Sequence, residues 1–212
     1  MFRKVFLGMV VVMVLAHGIA YGGTEPFEKV GTYAAQFLKV GVSARAAGMG
    51  SAYTAVANDA TAIYWNPAGM VAQTRTQVSL NTVTWPADID VYFAAATFST
   101  PYLPGTWGVS ARALTMDPQM ERTIYMPEGT NRFFDAGDMS FGLSYAMYFT
   151  DKFSAGFTAH FIHMGLADKS VQTMAFDFGL IYRIGIQGMK LGMMIQSLGS
   201  EVDFDDRSSK LP

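Results

Sequence analysis

The residue types that most often perform catalysis or bind metals are few in this sequence and poorly spaced. His160 and His163 are three residues apart in a region of alternating side chains, so on a strand they face opposite sides and cannot share a metal ion. Ser154 and His160 can share a face, but the sequence indicates no acid to complete a catalytic trio with them. Gly48-Met49-Gly50 lacks the preceding strand and the third glycine of a dinucleotide fingerprint. We therefore predict that the protein is not an enzyme and holds no metal or cofactor.

The composition raises the question of which solvent surrounds the protein. Half of the 212 residues are apolar and only 15% are charged, whereas a soluble domain carries about 25% charged residues. The formal net charge is −2, so we expect no basic surface for nucleic acid. There is no cysteine, which excludes disulfides and thiol catalysis. The shortage of charge indicates a large core or a non-aqueous surrounding.

Residues 1–22 are predicted to be a signal peptide. A basic start, Met1–Lys4, precedes an apolar run from Val5 to Ala20, and small residues stand at Ala20 and Gly22, as signal peptidase prefers. The run is shorter than the roughly 20 residues that span a bilayer as a helix. We therefore expect the chain to be exported and the segment to be removed.

The region from residue 75 to 212 has the two-residue alternation of β-strands. Seven strands are predicted near 76–84, 89–98, 106–115, 138–149, 152–163, 173–183 and 189–197, most of them close to the roughly 9–11 residues of a membrane-spanning strand. In the fourth of these, Phe141 and Leu143 alternate with Gly142 and Ser144, and successive side chains on a strand point to opposite faces. We call the two sides the large face and the small face.

Charged residues inside the predicted strands separate by face. Arg112, Asp177 and Arg183 all fall on the small face, and we assign none to the large face. An arginine or lysine facing lipid at mid-bilayer would cost about 2–4 kcal/mol, whereas a soluble sheet needs a charged exterior. The pattern predicts an all-β fold: an antiparallel transmembrane barrel with lipid on the large face and a polar interior. The alternative is a soluble β-sandwich whose large face is core.

The predicted connections differ in length. Ser99–Gly105, Thr150-Asp151 and Gly185–Gly188 are short, while Met116–Gly137 and Met164–Gln172 are longer. Membrane barrels have short periplasmic turns and longer outer loops. If that rule holds, the first strand runs outward from the periplasm.

Residues 23–74 form a separate segment rich in alanine and glycine. Ser43 is a candidate cap for one helical turn that Gly48 and Gly50 would end, and Asn58-Asp59 is a candidate second helix start. Asn66-Pro67 predicts a turn, because proline pushes the preceding residue out of the helical region. A compact segment with such small side chains is suited to fold against the small face, inside a barrel.

The run from Gln36 to Gly69 resembles the PorV/PorQ family of FadL-like outer-membrane barrels. The resemblance rests on Arg-Ala-Ala-Gly-Met-Gly at 45–50 combined with Tyr-Trp-Asn-Pro-Ala-Gly at 64–69. It implies a barrel of about fourteen strands, with the segment 23–74 as a plug or hatch and 75–212 as barrel. The triplet Asn66-Pro67-Ala68 is the signature shared with FadL-like fatty-acid channels. The matched hatch residues are Arg45, Gly48, Gly50, Asp59, Trp65, Asn66, Pro67, Ala68 and Gly69. For Asp59 and Trp65, a role in turns and packing is favoured over ligand contact.

The same resemblance gives two functional expectations. The first is a role in type IX protein secretion, with secretion-system proteins and exported cargo as partners. The alternative is passive transport of long-chain fatty acids or other small hydrophobic molecules. Both imply the outer membrane of a diderm bacterium, with lipid around the barrel.

Strand number adds one further expectation. Bacterial single-chain barrels have an even number of strands, and seven is odd. We therefore expect the 212 residues to be the N-terminal part of a longer protein.

Overall fold

The computed structural model describes residues 34–86, 88–100, 103–166, 169–199, 202–204 and 207–209. The predicted signal peptide, residues 1–22, and the first part of the following segment, 23–33, lie outside the described residues. Within the described ranges, no helix is both long and apolar enough to cross a membrane.

Eleven strands are present in the described part of the chain. They are β1 Gln77–Trp85, β2 Ile89–Thr100, β3 Leu103–Met116, β4 Gln119–Met120, β5 Phe133–Phe134, β6 Ala136–Thr150, β7 Phe153–Leu166, β8 Lys169–Arg183, β9 Lys190–Gly199, β10 Val202–Phe204 and β11 Arg207–Ser209. Seven form one sheet in the order β1-β2-β3-β6-β7-β8-β9, and every neighbouring pair is antiparallel. The predicted all-β class and the seven main strands are therefore confirmed. β1 and β9 are the edges of this sheet.

Some strands are longer than predicted, and this corrects one connection. β7 continues to Leu166 and β8 begins at Lys169, so the predicted long connection Met164–Gln172 is wrong. Gly165 pairs with Ser170, because two adjacent strands that are already hydrogen-bonded extend their ladder through residues of low strand preference. The connection after β8 is longer than the one after β7. The connection between β3 and β6 is now the one long connection that still distinguishes the two ends of the described sheet.

Burial alternates along the central strands as the two-face prediction requires. In β6 the small-face residues Ser140, Gly142 and Ser144 are buried, while Phe141 and Leu143 are exposed. β8 shows the same alternation, with Ala175, Asp177 and Gly179 buried between exposed Met174, Phe176 and Phe178. The small face is the one that the protein itself covers.

Apolar side chains cross the large face from strand to strand. One row of register partners consists of Phe98, Trp107, Tyr145, Phe157, Phe178 and Ile195. Ring centroids lie 4.8 Å apart for Trp107 and Tyr145, and 5.2 Å apart for Phe157 and Phe178. Such cross-strand aromatic pairs stabilise a sheet by about 0.2–1 kcal/mol each.

The large face is not wholly free of charge, which corrects the prediction. Asp90 is the second residue of β2, and the Tyr92 hydroxyl on the same face donates to it at 3.4 Å. Its register partners are Thr84 and Thr115, so the row is polar and lies at one end of the strands. The small face carries further charges that the sequence analysis did not include: Asp138 on β6 and Lys190, which pairs with Arg183 at the start of β9.

Candidate functional site

The described part of the N-terminal segment consists of short helical turns. They are the 3₁₀ helix Gln36–Lys39, the α-helices Ala44–Gly48 and Ala62–Trp65, and the 3₁₀ helix Pro67–Ala72. Contacts of Pro67–Ala72 with β3, β6, β7 and β8 place it against the sheet. This helix lies on the small face, where we expected the segment.

Of the two expected helix starts, the first is correct in position but lacks the predicted cap bond, and the second is wrong. Ser43 precedes Ala44–Gly48, but it has φ 81° and makes no side-chain cap bond. The second helix begins at Ala62 and not at Asn58-Asp59. Asp59 instead accepts a hydrogen bond from the Thr61 backbone nitrogen at 2.9 Å, a local turn that competes with helix formation.

Asn66 connects the segment to two strands. Its backbone is extended, with φ −173°, and its Oδ1 accepts from the Ala68 nitrogen at 3.1 Å, so it caps Pro67–Ala72. Its Nδ2 donates to the carbonyl oxygens of Thr54 at 2.9 Å and of Leu180 at 3.1 Å, and the Met193 oxygen lies at 3.5 Å. The side chain is fully buried. The predicted turn at Asn66-Pro67 is confirmed, and the amide also holds it against β8 and β9.

Glycines on the small face allow this close approach. A Cβ atom on Gly156 would overlap the backbone of Pro67 and Ala68, and one on Gly179 would overlap the Asn66 amide oxygen. The Ser154 hydroxyl, two residues from Gly156, donates to the Ala68 carbonyl at 3.2 Å. The Asn-Pro-Ala turn and these two glycines therefore form one complementary contact.

Arg45 and Asp59 of the matched motif meet near the surface. The Arg45 guanidinium lies 3.7 Å from the Asp59 carboxylate and donates to the Asn58 side chain at 2.9 Å. The Tyr53 hydroxyl donates to Asp59 at 2.7 Å. Burial, and next the hydrogen bond to Asp59, raise the pKa of the Tyr53 phenol to about 12, so it stays a donor. These contacts hold the segment's own turns together.

The remaining motif residues have packing roles. The Trp65 indole nitrogen donates to the Val42 carbonyl at 2.8 Å, and the ring is partly buried. Gly69 is buried against Ala57, and a Cβ there would overlap the Ala57 carbonyl oxygen. Gly50 adopts φ +62°, a left-handed conformation that favours glycine. Gly48 ends the first α-helix, with open space around its Cα.

Arg112 reaches from β3 to the start of the segment. The side chain is 6% exposed, and its Nη1 donates to the carbonyl oxygens of Phe37 at 3.2 Å and of Leu38 at 2.9 Å. The guanidinium carbon lies 4.5 Å from the centre of the Tyr64 ring. One residue therefore contacts both the 3₁₀ helix Gln36–Lys39 and the α-helix Ala62–Trp65.

Asp177 meets two partners that the sequence analysis missed. Its Oδ2 lies 3.0 Å from His160 Nε2, and its Oδ1 accepts from the Ser197 nitrogen at 2.7 Å. Ser197 has φ 58° and belongs to an irregularity in the β8–β9 register. The carboxylate therefore orients a ring on β7 and stabilises a bulge on β9. His160 and Asp177 both lie on the small face. The register in which β7 pairs with β8 makes them diagonal neighbours there.

His160 also contacts a serine, so a serine, a histidine and an acid do come together, contrary to the sequence analysis. The Ser140 hydroxyl lies 3.5 Å from His160 Nδ1, which is long for proton transfer. Ser140 is 3% exposed. The adjoining cavity measures about 20 Å³, roughly the space of one water molecule. The long Ser140–His160 distance and the small cavity suit positioning of these side chains better than acyl transfer.

Arg183 completes the predicted set of small-face charges, but it does not join the cluster around Arg112 and Asp177. Its guanidinium donates to the Tyr148 hydroxyl and lies 5.1 Å from the centre of that ring. Both residues lie near the same ends of their strands, β8 and β6. Arg183 is therefore a suitable control position on the same face for a substitution of Arg112.

Comparison with known proteins gives no match to any family model and none to a curated protein sequence. The resemblance to the PorV/PorQ family stays a prediction.

Replacing Arg112 by leucine should loosen the 3₁₀ helix Gln36–Lys39. The change removes the charged donor to two buried carbonyl groups, and we expect a loss of about 2 kcal/mol in the free energy of unfolding. Hydrogen exchange should rise at residues 36–40. Arg183→Leu on the same face should leave that exchange unchanged. Equal exchange in wild type and Arg112→Leu would contradict the role of Arg112.

Proposed function

We propose that the chain forms part of an outer-membrane β-barrel in which the N-terminal segment is an internal hatch. The observation that supports this is the contrast between the faces. The small face is covered by the protein's own segment and holds Arg112 and Asp177 in buried positions, whereas mid-strand residues of the large face, such as Leu143, expose apolar side chains. Contiguous apolar exposure on this scale marks a lipid or protein interface.

The length of the apolar stripe also supports a membrane. In β6 the large face is apolar from Met139 to Phe149. Those ten steps extend about 34 Å at about 3.4 Å per residue. A tilt of about 40° reduces this to about 26 Å, close to the roughly 25 Å apolar band of membrane barrels.

The two sheet edges set a requirement for the proposal. In lipid, unpaired backbone groups on β1 and β9 would each cost several kcal/mol. Both edges must therefore gain strand partners in the membrane, from the same protein or from another subunit. The runner-up, a soluble sandwich, requires a second sheet on the large face instead.

Arginine placed in the middle of the large face separates these alternatives. In lipid vesicles, Leu143→Arg should lower the free energy of unfolding by about 2–4 kcal/mol. Ser170→Arg, near the polar end of β8, should cost about 1 kcal/mol or less. Urea unfolding of both variants in vesicles measures the difference. Equal stability of the two, or recovery of the wild type from the host as a soluble periplasmic protein, would refute the membrane assignment.

For the role of the barrel, we propose a link to type IX protein secretion, as the resemblance implies. The polar small face supports this over the alternative, transport of hydrophobic molecules. A transport route needs a continuous apolar pocket, whereas the cavity between segment and sheet is small and lined by Arg112, His160 and Asp177.

Deletion of the full gene tests whether the protein serves secretion or the transport of hydrophobic molecules. The deletion strain is scored separately for uptake of a long-chain fatty acid and for surface proteins released into the medium. Release of surface proteins with normal uptake supports the secretion role. Loss of uptake with normal secretion would establish the transport alternative.

A further inference from the structure

The long connection between β3 and β6 folds into an ordered hairpin of its own. β4 pairs with β5, and the Glu121 nitrogen donates to the Arg132 carbonyl at 2.8 Å. Nearer the tip, Thr123 and Met126 exchange backbone hydrogen bonds of 3.3 and 3.1 Å. Backbone hydrogen bonds therefore close the turn at the tip.

Large apolar side chains occupy this tip. Ile124 and Tyr125 are the two central residues, exposed by 95% and 93%, and Met126 is exposed by 56%. They belong to the connection and to no strand of the seven-stranded sheet, so they are not part of the apolar large face. Polar residues normally occupy such turns. An apolar pair on a preorganised hairpin is typical of a binding site.

The charges of the connection indicate what kind of surface fits the tip. Residues 117–135 carry four acids and two bases, a net charge of −2: Asp117, Glu121, Arg122, Glu128, Arg132 and Asp135. Arg132 lies 3.8 Å from Glu121, so this pair is internally neutral and the net −2 remains on the other four residues. Anionic membrane surfaces attract clusters of lysine and arginine, the opposite of this composition.

We propose that the tip Ile124–Met126 is the anchor of a protein–protein contact, received by an apolar cleft whose rim is positively charged. Tyrosine is among the residues that most often dominate binding energy at interfaces, where it fills a desolvated pocket. The surrounding negative charge steers association with a basic rim. This contact lies outside the hatch and is additional to the proposed barrel function.

Photo-crosslinking in the native host locates the partner. The full chain carries p-benzoylphenylalanine at Tyr125 or, as control, at Asn131, a polar exposed position of the same hairpin. We expect an adduct with one protein from position 125 and not from position 131. Adducts with lipid alone, or no adduct, would overturn the proposal.

Affinity of the two purified proteins then decides. Ile124→Ser and Tyr125→Ser should each weaken binding by about tenfold or more, while Asn131→Ser should change it by about twofold or less. Glu128→Lys and added salt should both weaken binding. Because Ile124 and Tyr125 are almost fully exposed, these variants should fold normally. Unchanged affinity in Tyr125→Ser, or tighter binding in Glu128→Lys, would refute the contact.

Discussion

Replacement of Asn66 by leucine is expected to lower the free energy of unfolding by about 5 kcal/mol and to release the turn from the sheet. The amide donates to the Thr54 and Leu180 carbonyls and accepts from the Ala68 nitrogen. Leucine has a similar volume but leaves all three backbone groups without this partner. Each unsatisfied buried group costs about 1–3 kcal/mol, and the site is too enclosed for water to replace the amide.

Asn58→Leu is the matched control for this substitution. Asn58 is exposed, and its side chain accepts a hydrogen bond from the exposed Arg45, so its replacement should cost about 0.5 kcal/mol or less. Urea unfolding followed by tryptophan fluorescence gives the free energies, and limited proteolysis reports release of residues 54–72. If Asn66→Leu unfolds at the same urea concentration as Asn58→Leu, the anchoring role of Asn66 is wrong.

Valine at Gly156 should prevent the 3₁₀ helix Pro67–Ala72 from docking, at a cost above about 3 kcal/mol. The valine Cβ would overlap backbone atoms of Pro67 and Ala68. Backbone atoms cannot rotate away from this overlap as a flexible side chain can. The neighbouring strands are already paired on both sides of β7. The helix must therefore move away from the sheet.

Gly137→Val provides the comparison on an adjacent strand. Gly137 is exposed on β6, and a Cβ there would meet the Leu114 oxygen at an ordinary 3.9 Å. Valine favours strands, so this variant should be as stable as the wild type. Hydrogen exchange at residues 68–73 should increase in Gly156→Val only. Protection that persists in Gly156→Val would show that the helix and β7 are not in the contact described above.

Local sequence features identified the strands and the sides of most of their residues. The alternation of Phe141 and Leu143 with Gly142 and Ser144 has the two-residue period of a strand, which is a property of neighbouring residues alone. Pro67 restricts Asn66 for the same local reason. The main exception to the predicted face assignment is Asp90. It lies at a strand end, where few neighbouring residues show the alternating pattern.

What the sequence determined by itself was therefore the strands, the two faces and the turn at Asn66-Pro67. The tertiary structure decided which residues meet across those strands. The alternation of side chains predicts His160 and Asp177 on the same face, but they touch only because β7 and β8 pair His160 with Ala175 and Thr158 with Asp177. The extension of β7 to Leu166 and the positive φ of Ser43 likewise depend on contacts with other parts of the chain. Register and packing are set by contacts between residues far apart in sequence, and a single chain's local pattern does not contain them.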